Sequence, residues 1–439
     1  MKAAIAQRAQ ILEAFLDVEQ ERLAEACHAL ARALSRGGTL IARGEGSAAS
    51  DAAHVAVEFL HPVIVGKRAL PAVALPEREA LGAMARGDDV LLLLTHGALD
   101  VQDAALLADA RRRGLLTIAL TGPPAPDAPA PAADFVFTVP IHDRAVVQEV
   151  HETAYHVLWE LVHVFFEHPG LLEEQCLTCG DVAVEARVMA LAGAAATVER
   201  DGAREEVAVD LLGDDLAVGD VVLCHAGVAL ERVEPEDPTA FLYPFLAGTE
   251  TGLDAVLADV RSSTIAKGAQ TIALRETLDS DALAACADDV RSRLVAGGRL
   301  LSFGNGGSAT DAQDVAHDAR ALGWPAIALT DDPATVTAVA NDVGFENVFA
   351  RQLIALGGSG DVAVAISTSG SSSSVVTGLA EASRRGMLTV AILGYDGGRT
   401  AQLPGLDHAI VVPGDYIPRL QEAQGTACHL LLDAVGGRT

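Results

Sequence analysis

The 439-residue sequence predicts an α/β protein: two doubly wound domains with parallel sheets and a small β-barrel between them. The first sign is an internal repeat. Gly37 to Asp51 (GGTLIARGEGSAASD) returns without a gap as Gly297 to Asp311 (GGRLLSFGNGGSATD), so that Gly38, Gly44 and Asp51 fall on Gly298, Gly304 and Asp311. Gln148-Glu149 followed by His156 likewise returns as Gln421-Glu422 followed by His429, at the same spacing. A repeat of this length decides the architecture before any single residue is interpreted. The second sign is the alternation of short apolar runs with helical ones in both copies, as a parallel sheet requires. The third is a stretch between them that holds only short β-rich runs. The expected boundaries are 1–170, 175–238 and 250–439.

Taken in order, Ala3 to Ala31 places Ile11, Leu12, Phe15, Leu23 and Leu30 near the helical period. Thr39 to Ala42, Ala72 to Leu75, Val90 to Leu94, Thr117 to Leu120 and Phe135 to Val139 are expected as buried strands, with a helix over Val101 to Arg112. Ligands of such sheets sit beyond the carboxyl ends of the strands. Pro123 to Pro131 is a loop by its proline and alanine content, and Val146 to Phe166 is a long closing helix stopped by Pro169-Gly170. Val182 to Met189, Ala195 to Glu199, Glu206 to Val209 and Val221 to Leu223 are short strands broken by Gly202, Gly213 and Gly219, the pattern of a small barrel. Helix returns from Gly252, and the second copy runs to about Val435.

A composition 50% hydrophobic and 21% charged supports sizeable cores. The net charge of -29 argues against nucleic-acid binding, whose affinity comes from Lys and Arg. No apolar run reaches the length of a membrane span, and the start of the chain lacks a signal core. Cysteines at 27, 176, 179, 224, 286 and 428 are too sparse for a disulfide framework. These features point to the cytoplasm.

In the second copy, Gly304-Asn305-Gly306-Gly307-Ser308 follows the strand Leu300 to Phe303 and opens a helix expected from Thr310. Ser367-Thr368-Ser369-Gly370-Ser371-Ser372 follows the strand Asp361 to Ile366. Glycines permit close backbone approach and helix N-termini favour anions, so two such loops at neighbouring strand ends would surround one phosphate. With Asn341 to Phe345 and Arg419 to Glu422, these motifs resemble the phosphoheptose isomerases of the SIS (sugar isomerase) family over roughly residues 250–436. The resemblance implies that Asn305, Gly306, Ser308, Ser367, Thr368, Ser369 and Ser372 hold a phosphorylated sugar. It also implies an aldose–ketose proton transfer on sedoheptulose 7-phosphate, aided by a divalent metal, taken as zinc.

The family's metal and catalytic set is a His and a Glu four apart on the helix after the glycine loop, with a later Gln and His. Four-residue spacing puts two side chains on one helix face. The second copy has Asp314 and Asp318 with Gln421 and His429, which puts its own turnover in question. The first copy has His54 and Glu58 with Gln148 and His156, the family's full quartet. Glu58 and His156, and in the second copy Asp318 and His429, are the acid/base candidates. The first copy's phosphate loops are degraded: Ala48 replaces the equivalent of Ser308, with Ser47 as a substitute, and Asp100 stands in the second turn, where it would repel a phosphate. Because family members are oligomers with sites between subunits, the fused copies imply either one shared site built from complementary halves or a scaffold with two decaying sites. A homo-oligomer is also expected.

Between the copies, Cys176-Leu177-Thr178-Cys179, Arg204 to Val207 and Val218 to Leu230 resemble the HypC/HupF family of hydrogenase assembly chaperones, small OB-like barrels with an essential cysteine. The resemblance implies that Cys176, with Cys179 and His225, transiently holds an iron group for the hydrogenase large subunit and its maturation proteins; a thiolate suits low-spin iron. Cys176 is internal rather than N-terminal, and C-x-x-C also admits half a zinc site or a redox pair. Three functions stand at this point. The chain is an accessory factor for nickel–iron hydrogenase maturation with phosphosugar-binding domains, a sugar-phosphate isomerase with a spacer barrel, or a non-catalytic partner-binding scaffold.

Overall fold

The computed structural model describes every residue except 64–66, 127, 130, 173–183, 194, 201–202, 210–211, 213–215, 226–227, 233–251 and 438–439. The first copy comprises α1 (Lys2–Ser35), β1 (Leu40–Gly44), α2 (Ala48–Leu60), β2 (Ala72–Ala74), α3 (Arg78–Met84), β3 (Val90–Thr95), α4 (Val101–Arg112), β4 (Leu116–Thr121), β5 (Phe135–Thr138) and α5 (Arg144–Phe166). α1 outruns the expected helix because its apolar stripe continues through Leu34 before Gly37, at φ +90°, turns the chain. The strands form a parallel sheet in the order β2-β1-β3-β4-β5.

The middle module is a closed barrel of β6 (Val184–Ala192), β7 (Ala195–Arg200), β8 (Ala203–Ala208), β9 (Val221–His225) and β10 (Val228–Arg232), ordered β10-β8-β7-β6-β9. Val188, Val198, Val207, Val222 and Cys224 fill its interior by the alternation of strand side chains. β8 begins three residues before the expected Glu206 because its polar start pairs with β7 from Arg200↔Ala203 onward. β10 was not expected as a strand. It is a short run whose antiparallel pairing with β9 shifts register between Ala229 and Glu231, so sequence alternation alone does not show it.

The second copy comprises α6 (Leu253–Glu276), α7 (Ser280–Val295), β11 (Leu300–Phe303), α8 (Gly307–Ala321), β12 (Ala326–Ala328), α9 (Pro333–Val343), α10 (Val348–Leu356), β13 (Val362–Ser367), α11 (Ser373–Arg384), β14 (Leu388–Leu393), α12 (Gly398–Ala401), β15 (His408–Val411) and α13 (Ile417–Val435). Its parallel sheet, β12-β11-β13-β14-β15, repeats the first strand for strand. β13 and β14 are buried along their whole length, with Val362, Val364 and Ile366 facing one core and Ala363 and Ala365 the other. A parallel sheet covered on both faces needs such unbroken apolar strands. Cys27, Cys224, Cys286 and Cys428 are free and buried. No helix among the described residues is long and apolar enough to cross a membrane.

The two α/β copies form one compact unit, Met1–His163 with Asp259–Thr439, and Val164–Ala258 form another. Within the α/β unit α2 packs on α8, and α5 and α13 exchange polar side chains. Glu422 of α13 accepts hydrogen bonds from His156 Nδ1 (2.9 Å) and Thr153 (3.0 Å) of α5, and pairs with Arg419 at 3.0 Å. Glu149 of α5 reciprocates by accepting from Thr426 (2.8 Å) and His429 Nδ1 (3.0 Å) of α13, and from Arg8 of α1 (3.0 Å). Both glutamates are fully buried. Burial opposes their ionisation, but the Arg419 charge and the His156 hydrogen bond bring Glu422 down to about 2. The His429 hydrogen bond and the Arg8 charge likewise outweigh burial and hold Glu149 below the ordinary carboxylate range.

Removing one partner of a buried ion pair strands the other, at a cost of about 3–5 kcal/mol. Glu422→Gln is therefore expected to lower stability by about 3 kcal/mol, against under about 1 kcal/mol for Glu381→Gln, which loses only surface pairs with Arg384 and Arg385. Both tryptophans, Trp159 and Trp324, lie in the α/β unit, so their fluorescence during urea unfolding reads that unit alone. Equal losses in the two variants would refute the inter-copy lock.

Candidate active site

The second copy's phosphate loop is built by two strand ends. After β11 the turn Gly304–Gly306 leads straight into α8, which starts at Gly307 rather than at the expected Thr310. A Cβ at Gly304 would overlap the Ser308 carbonyl, so only glycine allows the loop to fold this tightly. β13 ends at Ser367, and α11 follows with Ser372 at its N-cap. Neither α8 nor α11 has a side-chain cap, which leaves their first N–H groups for a ligand. Asn305 ties the loops together by donating to Ser372 Oγ (2.7 Å) and Ser374 Oγ (3.0 Å), and Ser308 and Ser367 are buried beside them.

The first copy has used up the same groups internally. Ser47, the proposed substitute, is buried on His96 Nδ1 (2.8 Å), and His96 Nε2 meets Asp51 at 2.6 Å. Asp100 caps α4 by accepting from the Asp103 N–H (2.6 Å) and pairs with Arg78 at 3.2 Å. The residue expected to repel a phosphate thus also fills the helix N-terminus that would bind one.

The quartet forms across the copies. His54 and Glu58 share one face of α2, with His54 Nε2 at 3.7 Å from Glu58 Oε1, and the His54 and His156 rings stand 5.2 Å apart. The sequence grouped Gln148 with these three residues. The structure instead supplies Gln421, whose amide lies 3.3 Å from His54 Nε2. The reason is helical rise: Gln148 and His156 are about 12 Å apart along α5, too far to share one ion. Gln148 donates to Asp314 (2.8 Å) and Asp51 (3.1 Å). A Cβ on Gly307 would overlap Gln421 Nε2 and lie 2.7 Å from His54 Nε2, so the quartet abuts the phosphate loop of the second copy.

The mirror-image group holds Asp314, Asp318, His429 and Gln148, next to the first copy's spent loop. Ser50 bonds Asp314, Arg144 pairs with Asp318, and His429 Nε2 stands 3.9 Å from Asp318. Burial and the nearby Asp51 charge push Asp314 well above the ordinary carboxylate range. This group is satisfied from within the protein.

The quartet is not. His156 Nε2, Glu58 Oε2 and Gln421 Oε1 are buried without hydrogen-bond partners among the described residues. Glu422 takes the Nδ1–H of His156, and Tyr155 Oη stands 3.1 Å from His54 Nδ1, an arrangement that turns the Nε2 lone pairs inward. Two imidazoles, a carboxylate and an amide oxygen fit a divalent ion such as zinc. Burial opposes ionisation of Glu58, yet the His54 hydrogen bond and the His54 and His156 charges hold it below the ordinary carboxylate range. Tyr155, Glu149 and Glu422 were not identified as functional from the sequence, although the repeat of Gln-Glu at both positions was a visible signal.

In the barrel, Cys224 is fully buried in the core, and burial with the Glu205 charge pushes its thiol up to about 11. His225 ends β9 opposite Val228. Cys176 and Cys179 lie outside the described residues.

Comparison with known proteins agrees with this layout. Residues 265–394 match the SIS domain family, and residues 182–242 match the HupF/HypC family. The phosphoheptose isomerase of Geotalea daltonii is 44% identical over 165 residues, which cover 36% of this chain and 85% of that protein. That of Paramagnetospirillum magneticum is 41% identical over 193 residues, 42% of this chain and 94% of that protein. The C-terminal domain of glucosamine-fructose-6-phosphate aminotransferase from Francisella tularensis shares the fold, with a TM-score of 0.54 at 10% identity over 99% of this chain and 94% of that one. The chain therefore belongs to the phosphoheptose isomerase family of SIS domain proteins, and it holds a HupF/HypC-family module between its two α/β copies.

Proposed function

We propose that this chain is an accessory factor of nickel–iron hydrogenase maturation whose α/β unit isomerises a phosphorylated sugar at a single composite site. The observation that carries the isomerase part is the meeting of His54, Glu58 and His156 from the first copy with Gln421 and the phosphate loop of the second. The substrate phosphate sits on the N-termini of α8 and α11 with Ser308, Ser367, Thr368, Ser369 and Ser372. Glu58, an uncapped carboxylate, carries a proton between the adjacent carbons of an aldose–ketose pair. The matching proton passes between their neighbouring oxygens; His156, whose Nδ1–H is held by Glu422 and whose Nε2 faces the ion site, orients them as a ligand rather than carrying the proton. A divalent ion held by His54, Glu58, His156 and Gln421 would supply Lewis-acid polarisation of those oxygens. Sedoheptulose 7-phosphate is the substrate by family.

The hydrogenase part is favoured by the HupF/HypC match, which begins just after Cys176. On this reading Cys176, with Cys179 and His225, receives the iron group as cargo and presents it to the hydrogenase large subunit. The α/β unit would couple that step to a sugar phosphate.

Full-length protein with zinc is expected to interconvert sedoheptulose 7-phosphate and its aldose. Glu58→Gln and His156→Asn should each lower kcat by about 100-fold or more, while Asp318→Asn stays near wild type. An equal loss at Asp318 would sink the single-site reading, and an inactive wild type would leave the scaffold reading. Calorimetry should show Ser369→Ala binding the sugar phosphate about tenfold more weakly, the worth of one charge-assisted hydrogen bond, with Ser47→Ala unchanged. Cys176→Ser should abolish hydrogenase maturation in cells yet keep isomerase turnover. Normal maturation in that variant would remove the chaperone role.

A further inference from the structure

Glu152 lies on α5 one turn before His156 and has no part in the site described above. It is 5% exposed, and its Oε1 has no hydrogen-bond partner among the described residues. One ligand atom each from His54, Glu152 and His156 lie within 4.8 Å of one another, and all three residues are buried. In the repeat, Glu152 falls on Gly425. A Cβ there would stand 2.9 Å from Glu152 Oε2, so the carboxylate occupies space that exists only because the second copy has no side chain at this position.

Resting on the metal-assisted reading above, we infer that Glu152 is a metal ligand additional to the quartet. With His54 and His156 it forms a three-point site for a divalent cation on the inner side of the quartet. Two nitrogens and a carboxylate oxygen make a usual zinc donor set. Tyr155 and Glu422 orient the two imidazoles. Burial and the Asp311, Glu422 and Asp51 charges, opposed by Arg275, push the Glu152 carboxyl well above the ordinary range, and a cation between it and the imidazoles would favour its ionised form. A carboxyl buried beside three other carboxyls costs stability unless a bound ion offsets it. With Glu152 as ligand, Glu58 keeps an oxygen free for proton transfer. The mirror group, with Asp314 for His54 and Gly425 for Glu152, has no counterpart of this site.

The test strips the full-length chain with a chelator and titrates zinc against a chromophoric competitor, with cobalt(II) absorption as a second readout. Wild type is expected to bind one ion per chain. Glu152→Gln and Glu152→Gly should each weaken zinc by about tenfold or more and shift the cobalt spectrum. Each should also raise the melting temperature of the metal-free protein while shrinking the rise that zinc produces. A structural role predicts the opposite, a lower metal-free melting temperature, and would overturn the inference. Unchanged zinc affinity and cobalt spectrum in both variants would overturn it too, while sparing the metal reading if His54→Ala abolishes binding. A wild type that binds no ion would overturn both.

Discussion

Two buried glutamates, each held by the other copy, organise the α/β unit. Glu422 grips His156 and Thr153, and Glu149 grips His429 and Thr426, so α5 and α13 can dock in only one register. Charged groups at such depth tolerate little displacement, because a shifted partner leaves an unpaired ion in a low-dielectric interior. The same contacts aim the histidines. Packing of the copies and orientation of the His156 imidazole are therefore one interaction, and the quartet inherits its precision from the interface.

Given that frame, the divergence of the copies has a local physical basis. One site keeps two helix N-termini without caps, whereas its mirror has Asp100 on α4 and His96 on Ser47. One quartet keeps buried polar atoms without partners among the described residues, whereas the mirror group has Ser50, Gln148 and Arg144 on its carboxylates. Each replacement satisfies a group that a ligand would otherwise satisfy. The mirror half thus has internal partners where the other half has open polar groups.

Much of this was legible in the sequence. The repeat predicted two identical sheets because gap-free glycines such as Gly44 and Gly304 mark the same crowded turn after the first strand. The run read as a strand over Asp361 to Ile366 forms Val362–Ser367, legible because both its faces are apolar. The ligand types were legible too, since His54 and Glu58 share a helix face by spacing alone. Their grouping was not, because Gln421 joins His54 across 367 positions, and no periodicity reports such a contact. β10 escaped because its pairing shifts register partway along, and Glu152 because its meaning lies in the empty space over Gly425.

Building one site from two halves of one chain also changes how that site responds to dilution. Where halves belong to separate molecules, occupancy of the working state falls with protein concentration. Here the second half is tethered, and its effective concentration is set by the chain rather than by expression level. Assembly of the composite site is therefore the same in abundant and in scarce protein.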